Sequence, residues 1–168
     1  MKNIYLVGFM GTGKTAVGKV LADKLSKRFV EMDQLIEKRE NKKIKDIFAE
    51  NGQDYFRKLE NQLLKKLSSQ SDLVVSCGGG AVCNQDNLDI LQNTGYVFSL
   101  SASPNSIFER VKESDHRPLL NGADPLGKIK ELLEARKPFY KKAGTRIDTD
   151  NLCVLDVADY ILNLLENG

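Results

Sequence analysis

GFMGTGKT, residues 8–15, follows directly on the apolar run NIYLV (3–7) and leads into a segment where Val17, Val20, Leu21 and Leu25 recur at helical spacing. A near-continuous run of apolar strand formers is expected of a strand buried on both faces of a parallel sheet. With Lys19, Asp23 and Lys24 on the other faces, the spacing after it predicts an amphipathic helix over 14–27. The octapeptide between strand and helix fits GxxxxGK followed by Ser or Thr. Glycine lets the backbone turn its N–H groups inward without a Cβ clash, and the helix that follows adds unpaired donors and the positive end of its dipole. A plain strand-to-helix turn that happens to use glycine is the bland alternative; the full pattern in this setting favours a polyphosphate guest. Gly11, Thr12, Gly13, Lys14, Thr15 and Ala16 would wrap it with their amides, Lys14 would meet the β and γ groups, and the Thr15 hydroxyl would take a place on Mg2+.

The alternation continues outward. RFVEM (28–32) reads as a strand, DQLIEKRE (33–40) as a helix start, and IKDIFAE (44–50) as a helical piece ending before Asn51-Gly52. Phe56, Leu59, Leu63, Leu64 and Leu67 make a helical stripe, DLVVS (72–76) a strand and Gly78 to Gly80 a turn. NLDILQN (87–93) reads as helix, GYVFSL (95–100) as strand, and SPNSIFERVKE (103–113) as a helix with Pro104 in its first turn, where proline costs least. SDHRPLLNGADP (114–125) breaks the rhythm and reads as a mobile excursion. Residues 125–143 predict a long helix that Pro138 kinks or ends, TRIDTD (145–150) a short strand and turn, and VLDVADYILNLL (154–165) a last amphipathic helix. Strands alternating with helices predict an α/β fold on a parallel sheet.

At 168 residues and 41% hydrophobic, the chain suits one core, so a single domain over 1–168 is expected. Twenty-five basic against 23 acidic residues leave a formal charge of +2, too balanced for a general nucleic-acid or membrane binder. Cys77, Cys83 and Cys153 are odd in number and lack CxxC spacing, which argues against a disulfide framework or a structural zinc. The first apolar run is too short for a signal peptide, and no later stretch approaches a membrane span, so a cytoplasmic protein is expected.

Ligands of open parallel sheets bind at the carboxyl ends of the strands. Asp33, just after the second strand, is either an acceptor-side carboxylate that orients a hydroxyl and takes its proton or simply a helix N-cap. The triple glycine is either a flexible turn or a place where a ligand approaches backbone. Arg57 and Glu60, three apart on one helix, are either a surface ion pair or a guanidinium held ready for a substrate anion. Arg117, in the broken-rhythm segment, is either a solvated loop cation or a charge that offsets a migrating phosphoryl group. Arg136 has an exposed helix cation as its ordinary reading, and His116 is given no role.

Taken together, GFMGTGKT, MDQLIE (32–37), YFRKLE (55–60), CGGGAV (77–82), HRPLL (116–120) and EARKPFY (134–140) resemble the successive motifs of shikimate kinases over nearly the whole chain. The resemblance implies a three-layer P-loop NTPase fold of the nucleoside-monophosphate-kinase type, with a five-stranded parallel sheet flanked by helices and a mobile lid at about 112–124. It implies ATP- and Mg2+-dependent phosphorylation of the 3-hydroxyl of shikimate on the way to chorismate and the aromatic amino acids, by a monomer. By motif, Asp33 would hold the shikimate hydroxyls and help activate the 3-hydroxyl. Arg57 and Arg136 would clamp the carboxylate, and Gly79 and Gly80 would offer backbone N–H groups. Arg117 would close with the lid over ATP, and Arg110 and the turn at 148–151 would border the nucleotide. Lys14, Asp33 and Arg117 would form the catalytic set. Glu31 stands where the family commonly has Asp, and Cys77 where it often has Thr; both differences bear on metal coordination.

Overall fold

Asn3–Val7 forms β1, the middle strand of a five-stranded sheet, and all its residues are buried. The structure is a computed structural model and describes residues 2–112 and 122–168. After β1 come α1 (Lys14–Leu25), β2 (Arg28–Glu31), α2 (Met32–Glu40), α3 (Ile44–Ser68), β3 (Leu73–Ser76), a short 3-10 turn (Ala81–Cys83) and α4 (Gln85–Thr94). Then follow β4 (Gly95–Ser101), α5 (Pro104–Val111), α6 (Pro125–Ala143), β5 (Thr145–Asp148) and α7 (Val154–Asn167). The strands pair in parallel in the order β2-β3-β1-β4-β5. The expected α/β layering is therefore present.

Successive side chains of a strand point to opposite faces, which explains why β1 is apolar from Ile4 to Val7. Tyr5 and Val7 enter a core with Phe56, Leu63 and Leu64 of α3 and Leu91 of α4. Ile4 and Leu6 enter the opposite core with Val17 and Leu21 of α1 and Ile161 of α7. A third cluster, of Phe9, Met10, Ile107, Val111 and Ile129, joins the glycine loop to α5 and α6.

One boundary differs from the sequence expectation. β2 stops at Glu31 and Met32 already opens α2. As expected, the helical pieces on either side of Asn51-Gly52 are separated by a break within α3, where Gly52 adopts φ 83° and ψ 171°. α6 spans Pro125–Ala143, the expected 125–143, with Pro138 inside it. Proline removes one helical hydrogen bond, yet buried Ile129, Arg136 and Ala143 pin the helix on both sides of it, so packing outweighs that local loss. Most of the expected lid, with His116 and Arg117, lies outside the described residues. Among the described residues no helix is long and apolar enough to cross a membrane.

Candidate active site

All five strands run the same way, so the turn after β1 and the ends of β2, β3, β4 and β5 gather at one edge of the sheet. At the centre of that edge, Gly8, Gly11 and Gly13 take φ values of 139°, 75° and 97°, a region costly for any other residue. Gly8 is further constrained, because a Cβ there would lie 2.2 Å from the Leu100 carbonyl oxygen. Gly13 precedes α1 without a side-chain cap, so the first-turn N–H groups are left to a ligand. Lys14 bends back over the loop and donates from Nζ to the carbonyls of Gly8 at 2.8 Å and Phe9 at 2.9 Å.

The loop is buttressed from α5 and from the turn after β5. Thr12 Oγ1 donates to the Phe9 carbonyl at 2.7 Å, and Thr149 Oγ1 donates to the Thr12 carbonyl at 3.1 Å. Arg110 Nη1 donates to the Gly11 carbonyl at 2.9 Å and Nη2 to the Thr149 carbonyl at 3.4 Å. Beside them opens a cleft of about 570 Å³ bounded by Gly11 to Ala16, Arg110, Thr149 and Leu152.

A second cleft, of about 310 Å³, lies toward β2 and β3 and is lined by Glu31, Asp33, Ser76 and Gly79. Lys14 and Thr15 line both clefts, so the two meet at these side chains. The capping alternative for Asp33 is not what is found. Glu31 occupies the N-cap position of α2, leaving Asp33 in the first turn with its carboxylate near the positive helix end. The Thr15 hydroxyl donates to Glu31 Oε2 at 2.5 Å, and burial pushes the Glu31 carboxyl above its ordinary range. Among the described residues no cluster of three or more acidic, His or Cys side chains could hold a metal ion by itself. The fit for Mg2+ is instead that of a cation carried by phosphates. Because the Thr15 O–H donates to Glu31, the hydroxyl lone pairs are left to face a cation, and the Glu31 carboxylate would set negative charge behind it.

The triple glycine marks the far side of this cleft, and what it admits is side chains. None of Gly78, Gly79 and Gly80 has a positive φ. A Cβ on Gly78 would lie 2.4 Å from Glu60 Oε2 and 3.0 Å from Asp33 Oδ1, and one on Gly80 would lie 2.3 Å from Arg57 Nη2. Gly79 has only ordinary neighbours, Arg136 Nη1 and the Met10 nitrogen, each at 3.5 Å. Arg57 donates to Glu60 Oε1, and Glu60 is fully buried, so the pair is no surface ornament. Burial pushes the Glu60 carboxyl up, with Arg57 and Arg136 opposing and Asp33 reinforcing the shift. Arg136 is buried too, its guanidinium carbon 5.6 Å from the Phe9 ring centroid. Two guanidiniums and two carboxylates thus surround one glycine turn. Cys77 is fully buried and its thiol is held neutral by burial.

The family model for shikimate kinase matches residues 10–166. The chain belongs to the shikimate kinase family. Curated shikimate kinases of Sulfurihydrogenibium sp. and Persephonella marina are 45% and 47% identical to it, over 99% and 96% of this chain and 99% and 98% of theirs. A shikimate kinase from Acinetobacter baumannii, solved in complex with shikimate, superposes with a TM-score of 0.96 at 36% identity, covering 99% of this chain and 94% of that one. A gluconokinase from Sinorhizobium meliloti, at 17% identity and a TM-score of 0.62, shares the fold alone. Shikimate kinases are transferases that carry a phosphoryl group from ATP to an alcohol group.

For a shikimate kinase the sequence motifs have converged well: Lys14, Thr15, Asp33, Arg57, Gly79, Gly80 and Arg136 all lie along the two joined clefts or the turn behind them. Two contributors are given no individual role by the sequence reading. Tyr140 donates its hydroxyl to the Gly79 carbonyl at 2.5 Å, and burial raises its pKa to about 12, so it remains a donor at any working pH. Thr149 is buried and joins Arg110 to the loop, although a threonine in a polar turn carries no signal of that. Because the nearest atoms to a Cβ on Gly80 are the flexible end of Arg57, Gly80→Ala should turn that guanidinium away from Glu60, at some cost in stability because Glu60 is buried. We expect the KM for shikimate to rise about tenfold, the size of one charge-assisted hydrogen bond, with the KM for ATP unchanged in steady-state assays.

Proposed function

We propose that this chain moves the γ-phosphoryl group of ATP to the 3-hydroxyl of shikimate, with the nucleotide in the cleft beside Gly11 to Ala16 and shikimate in the cleft beside Asp33. The observation that carries this reading is that Lys14 and Thr15 line both clefts, as a group passed from one ligand to the other requires. Lys14 leaves the carbonyls of Gly8 and Phe9 for the β and γ phosphates. Thr15 would hold Mg2+ with Glu31 behind it, and the ion would supply charge neutralisation on those phosphates. Asp33 orients the 3-hydroxyl and accepts its proton as the oxygen attacks the γ-phosphorus and ADP departs. Arg57 and Arg136 grip the shikimate carboxylate with planar forks that an ammonium could not match, while Gly79 and Gly80 offer N–H groups. Arg110 steadies the nucleotide cleft. Arg117, outside the described residues, adds charge from a lid that excludes water. The chain works as one kinase domain, a cytoplasmic monomer acting on small molecules without nucleic-acid or membrane partners. Support for that comes from both clefts being built by one chain and from its near-neutral charge of +2.

The test is ADP release from MgATP with shikimate, gluconate or nucleoside monophosphates offered separately; turnover of gluconate or a nucleotide above that of shikimate would overturn the reading. Arg136→Ala should raise the KM for shikimate by about 100-fold, the worth of a bidentate contact at roughly 1.5–3 kcal/mol, and leave ATP binding largely intact. Equal loss for both ligands would contradict the clamp.

A further inference from the structure

α6 leaves part of the sheet edge uncovered. Between its flank and β4 and β5 a cleft of about 540 Å³ opens, with Phe9, Leu100, Ala102, Leu133 and Tyr140 among its apolar walls. Glu134, Asp148 and Asp150 supply acids at the rim, and these are already engaged. The Asp150 carboxylate accepts from the Ser103 N–H at 2.9 and 3.1 Å, Asp148 Oδ1 from the Asp150 N–H at 3.0 Å, and Glu134 from Lys137 at 3.5 Å. The basic groups are not matched in the same way. Arg146 donates only through Nε, to Ser101 Oγ at 3.2 Å, and its two terminal nitrogens have no hydrogen bond to any described residue. Lys130 and Lys141 also line the cleft, and neither makes a hydrogen bond or ion pair among the described residues.

The geometry points to a second ligand site here, for a small carboxylate with a flat or alicyclic apolar body. The volume lies within the range of small-molecule pockets, which are mostly apolar with few oriented polar groups. Phosphate esters would waste the apolar walls, and a polyol would leave its hydroxyls facing Leu100 and Leu133. A carboxylate, by contrast, suits the planar fork of Arg146 while its apolar body meets those walls. The site is joined to the active site through shared walls. Tyr140 also holds the Gly79 carbonyl, and Phe9 lies under the Arg136 guanidinium. An occupant that shifts α6 therefore changes the grip on shikimate; only this coupling rests on the clamp proposed for Arg136.

The experiment is a titration of the 15N-labelled full chain with 2-naphthoate and with uncharged 2-naphthamide, in saturating shikimate and a non-hydrolysable ATP analogue. We expect saturable shifts at the amides of Ala102, Ser103, Leu133 and Arg146, with naphthoate about tenfold tighter than naphthamide and about tenfold weaker on Arg146→Gln. Arg146 is exposed, so that variant should keep a wild-type spectrum and wild-type basal turnover. Equal binding of the amide, or unchanged affinity in Arg146→Gln, would reduce the cleft to apolar adsorption and overturn the proposal. Shifts confined to Gly11 to Ala16 or Gly79 would place the probe in the active site instead and overturn the proposal. The coupling predicts a shikimate dissociation constant altered about threefold or more by saturating naphthoate, and no change would overturn that part alone.

Discussion

Lys14→Ala is expected to lower kcat for phosphoryl transfer by about 10³-fold, measured by rapid quench at saturating ATP and shikimate. Transfer of a phosphoryl group offers a protein little covalent work, so a charge fixed at the β and γ phosphates accounts for much of the barrier it removes. Lys14 suits that task by its position at the junction of the two clefts. Its ammonium donates to the Gly8 and Phe9 carbonyls, so the change also removes these contacts from the loop. Those contacts are half-exposed and worth about 1 kcal/mol each at most, which predicts a fall in Tm of only a few degrees. Turnover within tenfold of wild type would contradict a role for Lys14 in transfer; a collapsed Tm would instead identify it as a structural latch.

Asp33→Asn is expected to cut kcat by about 10²- to 10⁴-fold while changing the shikimate dissociation constant only a few-fold. The amide keeps one carbonyl oxygen to accept a hydroxyl, so binding geometry survives, but it does not take up a proton near neutrality. The split between kcat and affinity therefore separates proton acceptance from simple positioning. Calorimetric titration of shikimate against single-turnover rates measures both. A variant that loses affinity and rate together would make Asp33 a binding residue only. Placement favours the larger effect on rate, because Asp33 lines the acceptor cleft together with Lys14 and Thr15, where the proton of the attacking hydroxyl must be taken up.

Both variants act at residues that could be found by reading the chain. GFMGTGKT between an apolar strand and an amphipathic helix is legible because the loop chemistry is local: φ, donors and side chains all come from consecutive residues. Sequence periodicity likewise foresaw the strands and the break at Gly52, since burial on both faces and helical stripes leave direct traces. Reading left alternatives open where an element's fate depends on a distant partner. Pro138 left open whether the helix over 125–143 kinks or ends, and side chains packed on either side of it carry α6 through to Ala143.

The sequence by itself determined the order of strands and helices, the phosphate loop and the residue types around the acceptor, because each rests on spacing within one element. Only the tertiary structure decided which charges are buried. Glu60 and Arg136 belong to helices that look solvated from their own composition, yet α3 and α6 converge on one glycine turn, and water is excluded by what packs there. The same holds for Gly78 and Gly80, whose missing Cβ atoms make room for Glu60 and Arg57 and are not required by their own backbone angles. Burial and close approach are properties of pairs of elements, so no single stretch of chain can encode them in view.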